Sequence, residues 1–216
     1  EKMYRWLMAL FDWNGTLIDD VRIVYKSVEE IFKTYGLKPP SVETYRNEIV
    51  ANFMQFYSKY GIPEYATKED LNKIRKRVLM EYWDSAKLHD NAVATIKELK
   101  RQGLKIGIVS GEVPEILEKR LKTFGIKYLF DVVKGGAWGH KEKALSETLK
   151  EFNLNPEQAF YVDDTFDGIG AAKNTGLATF GWTKGYHSLK LIKNAKPDFI
   201  ISSMNELRNI ILKNPR

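Results

Sequence analysis

The chain has 216 residues, 44% of them hydrophobic, 12% aromatic and 29% charged, with a formal net charge of +6. That is enough apolar material for one medium domain or a core with a smaller insert, and too much for a disordered tail. The absence of cysteine excludes disulfides and thiolate metal sites. No apolar run approaches the roughly 18 residues of a membrane span, and no charged-then-apolar leader is recognisable. A cytoplasmic protein without a membrane partner is expected. Lysines and arginines are dispersed among acidic residues, so a nucleic-acid surface is not indicated, while the positive balance favours anionic small molecules.

In chain order, the apolar run Trp6–Phe11 predicts a fully buried strand that ends at Asp12, with Asn14 and the turn-permissive Gly15 behind it. Val21, Val24, Tyr25, Val28, Ile31 and Phe32 recur at helical spacing up to a stop near Gly36. Pro39-Pro40 interrupts the chain, and Ser41 and Thr44 offer caps for one second helix carrying Ile49, Phe53 and Phe56 toward a core. After the break Gly61-Ile62-Pro63, Lys68–Trp83 reads as a further helix with Leu71, Ile74, Val78, Leu79 and Tyr82 on one face. No strand pattern is seen between about residues 19 and 88.

The rhythm then alternates. Helices are predicted over Asn91–Gln102, Pro114–Phe124, Lys143–Phe152, Ile169–Asn174 and Met204–Leu212, and several are closed by glycine. Strands are predicted at Leu104–Val109, Phe130–Val133, Ala159–Val162, Ala178–Trp182 and Asp198–Ile201. Such alternation argues an α/β fold with a parallel sheet covered on both faces. Right-handed crossovers would bring the strand ends bearing Asp12, Ser110, Asp163 and Asp164 to one sheet edge, with Lys141 on the loop ahead of a helix. These are the parts that phosphoryl transfer asks for: a nucleophile, oxygen ligands for a metal, and donors around the phosphoryl group.

Phe11-Asp12-Trp13-Asn14-Gly15-Thr16-Leu17 resembles the first signature of the haloacid dehalogenase-like hydrolases, most of which are phosphatases. The resemblance implies a Rossmann-like core over residues 1–18 and 89–216 and an inserted all-helical cap over 19–88. It makes Asp12 the nucleophile that forms an aspartyl-phosphate. Asn14 stands where a second Asp usually acts as general acid and base, though its backbone carbonyl remains a metal ligand. Ser110, after Ile106-Gly107-Ile108-Val109, matches the second signature as a phosphate-holding hydroxyl assisted by the Gly111 N–H. Lys141 is the preferred third-signature lysine and Lys143 the second choice, because the usual Lys-Pro pair is missing. Asp163 and Asp164 match the acidic pair and, with Asp12 and Asn14, would hold Mg²⁺. Many members carry an acid where Gly168 stands, and Asp167 is one residue early. Trp13 reads as packing, and His89, His140 and His187 as surface or loop residues. Tyr45, Arg46, Asn52 and Lys59 of the helical block are polar enough to touch a substrate or to be ordinary solvated faces.

The expected activity is a Mg²⁺-dependent phosphatase acting on a small phosphorylated metabolite, similar to phosphoglycolate phosphatases. Two other readings stay open. One is a metal-free dehalogenase, which the acidic pair argues against, and the other is a weakly active or non-catalytic binding protein, because an amide at residue 14 cannot move a proton.

Overall fold

A computed structural model describes residues 6–49 and 52–213. Six parallel strands, β1 (Met8–Phe11), β4 (Lys105–Val109), β5 (Val132–Lys134), β6 (Ala159–Asp163), β7 (Ala178–Trp182) and β8 (Phe199–Ile201), lie in the order β5-β4-β1-β6-β7-β8. In β1, Ala9 and Phe11 enter one apolar cluster while Met8 and Leu10 enter another, and Phe160 and Val162 against Ala159 and Tyr161 divide β6 likewise. Side chains of a strand alternate between faces, so a continuous apolar run is what a sheet covered on both sides requires. One face is covered by α5 (Ala92–Arg101), α6 (Pro114–Thr123) and α10 (Met204–Leu212), the other by α7 (Lys141–Glu151) and α8 (Phe166–Thr175).

Between β1 and α5 the chain leaves the sheet. It passes through β2 (Ile18–Asp19), α1 (Val21–Thr34), α2 (Val42–Glu48), α3 (Phe53–Lys59) and α4 (Lys68–Tyr82), and returns through β3 (Lys87–Leu88). The helices bury their own cluster, including Val28, Phe32, Tyr45, Phe56, Tyr57 and Leu71. β2 and β3 pair antiparallel, Ile18 with Leu88 and Asp19 with Lys87, and form a neck between the helices and the sheet.

Several elements differ from expectation. The neck strands were not anticipated, because two residues are too short to display a period. The single second helix is two, since Ile49 adopts an extended backbone after α2; residues 50 and 51 of the expected helix lie outside the described residues. The expected strand at Phe130–Val133 is shifted to Val132–Lys134, because Leu129 and Phe130 close a short 3₁₀ turn. Helix α9 (Leu189–Ala195) was not foreseen. α7 begins at Lys141, so this lysine opens the helix instead of preceding it. His89 and His187 are buried, His89 edge-on to Trp182 and His187 accepting from the Phe166 N–H, and only His140 is exposed.

Candidate active site

β1 runs between β4 and β6, all three parallel, so their carboxyl ends share the edge where open α/β sheets bind ligands. Asp12 follows β1, Ser110 follows β4, Asp163 ends β6 and Lys141 opens the helix after β5. The Lys141 ammonium donates to Asp12 Oδ2 at 3.0 Å and to Asp163 Oδ2 at 2.5 Å. Asp12 Oδ1 accepts from the Trp13 N–H. Asp163 Oδ1 accepts from the N–H and hydroxyl of Thr165, whose own oxygen caps α8 through the Gly168 N–H. Asp164 accepts from Thr16 Oγ1 at 2.8 Å and from the Tyr186 N–H at 2.6 Å.

These acids sit in slots where the chain has no side chain. Gly15, at φ +74°, faces Asp164, and a Cβ there would lie 2.4 Å from Oδ2. A Cβ on Gly168 would lie 2.0 Å from Asp163 Oδ2. Position 168 therefore admits no acid without moving Asp163. Asp167 is exposed and outside the cluster. Lys143 is also exposed, 3.9 Å from Glu147, so the two candidate lysines part company in space.

The three carboxylates Asp12, Asp163 and Asp164 offer oxygens within 4.8 Å of one another, all buried. Burial pushes the Asp12 carboxyl up to about 6 although Lys141 pulls it down, and Asp163 adds to the rise. Burial, then Asp163 and Asp12, hold Asp164 well above the ordinary carboxylate range. Burial alone would lower Lys141, but Asp12 and Asp163 raise it, so it stays an ammonium. Three buried acids served by one lysine and a few neutral donors make a hard, oxygen-only, electron-rich donor set. That fits a Mg²⁺-type cation.

Ser110 is buried, and its Oγ accepts from the Glu112 N–H at 3.2 Å, which leaves its own proton for another acceptor. Gly111 lies next to it on the same loop. Asn14 takes part through its amide, donating to Asp20 Oδ2 at 2.9 Å and Glu112 Oε2 at 3.3 Å. Asp20 also accepts from the Gly15 N–H at 2.9 Å and from the Tyr186 hydroxyl, and burial raises its carboxyl. Glu112 lies 3.1 Å from Arg120, which packs on Trp83; burial lowers this guanidinium to about 10.

Thr16, Asp20, Glu112, Arg120 and Tyr186 escaped the sequence reading. Asp20 looks like an N-cap, and it does precede α1, but its side chain turns back to residues 14 and 15 and makes no cap bond. Glu112 and Arg120 carry no spacing signal that separates them from solvated charges. In the helical block, Arg46 donates to the carbonyls of Gly185, Thr183 and His187 and ties α2 to the loop after β7. Tyr45 is buried, Lys59 pairs with Glu48, and Asn52 is exposed at the start of α3. Trp13 is fully buried and edge-on to Phe124.

Phosphoglycolate phosphatase of Vibrio cholerae is 26% identical over 219 residues, covering 95% of this chain and 96% of that protein. Pyrophosphatase PpaX of Bacillus cereus is 29% identical over 211 residues, covering 94% and 95%. A HAD-family hydrolase of Deinococcus radiodurans, solved with bound phosphate and sodium, superposes with a TM-score of 0.77 at 16% identity, covering 99% and 100%. The profile of the haloacid dehalogenase-like hydrolases matches residues 9–182, from the middle of β1 to the end of β7, and the chain belongs to that family.

Proposed function

We propose that the protein is a Mg²⁺-dependent phosphatase that hydrolyses a small phosphorylated metabolite through an aspartyl-phosphate on Asp12. The observation that carries this reading is the meeting of Asp12, Lys141, Asp163 and Asp164 at one buried sheet edge, beside Ser110. The relatives named phosphoglycolate phosphatase and pyrophosphatase support it. Asp12, Asp163, Asp164 and the Asn14 carbonyl would hold Mg²⁺. When bound, the ion neutralises the carboxylates and the charge of the phosphoryl oxygens.

In the first step an Asp12 oxygen attacks phosphorus, a new O–P bond forms, and the bond to the leaving oxygen breaks. Ser110 Oγ, the Gly111 N–H and the Lys141 ammonium stabilise the phosphoryl oxygens. In the second step water attacks phosphorus and the Asp12–P bond breaks, regenerating the carboxylate. The departing alcohol needs a proton, and the attacking water must lose one. The Asn14 amide does neither, and such help is worth about 10²–10⁴-fold. Esters whose leaving group departs without a proton should therefore turn over fastest, and alkyl esters more slowly. The helical block over residues 19–88 is proposed as the cap that excludes water from this edge, and the cytoplasm as the place of action.

Hydrolysis of p-nitrophenyl phosphate and a panel of phosphometabolites, in Mg²⁺ and in EDTA, alongside Asp12→Asn, tests the proposal. Turnover that requires both Mg²⁺ and Asp12 supports it. No turnover of any ester overturns it in favour of the second reading, a binding protein, which Asn14 favours.

A further inference from the structure

Beside the phosphate-holding loop stands an aromatic side chain that neither the fold nor the proposed chemistry uses. Trp138 is 67% exposed, whereas Trp6, Trp13 and Trp182 are at most 3% exposed and Trp83 is half-buried. An indole left in water forgoes a large apolar burial, and a large exposed apolar surface marks a binding site more often than a scattered small one does. Val113 and Ile116, at the start of the helix that follows the same β4 loop, are 48% and 41% exposed.

The ring is not placed by chance of a loose loop. The segment after β5 is hydrogen-bonded to the loop after β4, Ala137 N–H to the Ser110 carbonyl at 2.9 Å and Gly136 N–H to the Glu112 carbonyl. Trp138 thereby lies directly against Gly111: a Cβ on that glycine would come within 3.1 Å of ring atom Cε3 and 3.5 Å of the Trp138 Cβ. Three residues later in the chain is Lys141, whose ammonium touches Asp12. The indole thus packs on one of the two groups proposed to receive the phosphoryl oxygens and closely precedes the other in the chain. Among the described residues, the other aromatic side chains with comparable exposure, Tyr65 and Tyr128, carry a hydroxyl and belong to segments that supply nothing to the acid cluster.

We propose that Trp138 is a specificity-determining residue whose exposed indole forms a wall for the leaving group and selects phosphate monoesters carrying a planar aromatic ring, such as a nucleobase. The inference rests on the phosphatase reading and narrows its substrate class. A phosphoryl group seated at Ser110, Gly111 and Lys141 leaves its organic part within reach of the ring. Stacking of a base on an aromatic side chain is tolerant of base identity, so selection is for the flat ring and not for one nucleobase.

The test compares adenosine 5′-monophosphate with ribose 5-phosphate, which share the phosphorylated sugar and differ by the ring. In the native protein kcat/KM is expected to favour the nucleotide. Trp138→Ala should lower that preference about tenfold or more, mainly through KM, and Trp138→Phe should keep most of it. A ratio that does not move in Trp138→Ala overturns the proposal. A second arm needs no turnover. With Asp12→Asn in Mg²⁺, adenosine 5′-monophosphate should quench the tryptophan emission that Trp138→Phe removes, and ribose 5-phosphate should not. Loss of hydrolysis with the quench intact would sink the phosphatase reading and leave the aromatic subsite standing. Hydrolysis without any quench or ratio change would do the reverse. Sedimentation of the native chain excludes a trivial route: if Trp138 is shielded by a second copy, with emission unresponsive to the nucleotide, the subsite is overturned.

Discussion

Loop 12–20 delivers charge to two neighbouring clusters that are balanced to different degrees. In the first, Asp12, Asp163 and Asp164 gather around the single ammonium of Lys141, three formal negatives against one positive. In the second, Asp20 and Glu112 meet Arg120, the two N–H donors of the Asn14 amide, the Gly15 N–H and the Tyr186 hydroxyl. Burial of charge is tolerated when partners satisfy it. The second cluster has one positive charge and several neutral donors for two carboxylates, and burial still raises Asp20. The first has one positive charge for three carboxylates, and burial raises Asp12 to about 6 and Asp164 well above the ordinary carboxylate range. The lesson is one of degree: the cluster with the larger uncompensated excess of negative charge is the one suited to receive a cation, while the smaller excess is largely answered by donors within the chain.

The contrast can be broken at its centre. Asp12→Asn should lower kcat on p-nitrophenyl phosphate on the order of 10⁴-fold or more, because the proposed nucleophile itself is removed. Lys141→Ala should cost about 10²–10³-fold, the worth of one preorganised charge donor; a loss of less than tenfold would mean that another group neutralises the site.

Asp164→Asn sharpens the charge argument through stability. A carboxyl whose folded-state value is raised contributes stability that is present at low pH and lost as pH rises. For Asp12 that loss spans the interval from its ordinary 3.8 to about 6, and Asp164 acts in the same direction. In EDTA at pH 7, Asp164→Asn should therefore be more stable than the native chain by about 0.5–3 kcal/mol, with the gap closing as pH falls toward 4. Mg²⁺ should raise the native Tm and leave the variant almost unmoved. Thermal melts at both pH values, with and without the ion, check both signs.

The better balanced cluster should respond differently. Asn14→Asp would leave residues 14, 20 and 112 as three carboxylates with no amide between them, so the single change should cost about 1–3 kcal/mol instead of simply restoring an acid. Adding Asp20→Asn returns one amide and one carboxylate to the pair, and urea unfolding should recover most of that loss as a favourable coupling. Additive losses would show that the two positions do not act together. Smallest of all, Lys143→Ala should change kcat less than twofold and stability by no more than about 0.5 kcal/mol, since its side chain is exposed and only 3.9 Å from Glu147.

The less balanced cluster is the one that could be read from the sequence. Asp12, Asp163 and Asp164 end apolar runs that are buried on both faces, and such runs announce themselves by composition alone. The sheet, most helix ends and the helical segment between β2 and β3 were legible from periodicity and composition. What stayed hidden depends on pairing across distance. β2 and β3 exist only as partners. α9 has seven residues with Ile192 alone fully buried, too little for a periodic stripe. Glu112 meets Asn14 across 98 positions of chain, and Arg46 reaches Gly185 across 139. A charged residue destined for such a contact looks, in one sequence, like any solvated charge.

The neck has a consequence for how such a molecule can be rebuilt. Because Ile18 lies opposite Leu88, the segment carrying the four helices begins and ends within about 5 Å. From the viewpoint of the sheet it is a detour whose two ends already touch, so its length adds no demand on β1 or α5. Exchanging the detour as a unit would keep this junction, but the replacement would have to restore what the helices give the sheet edge: the Arg46 bonds to the loop after β7, the packing of Trp83 on Arg120, and the cover over the buried carboxylates.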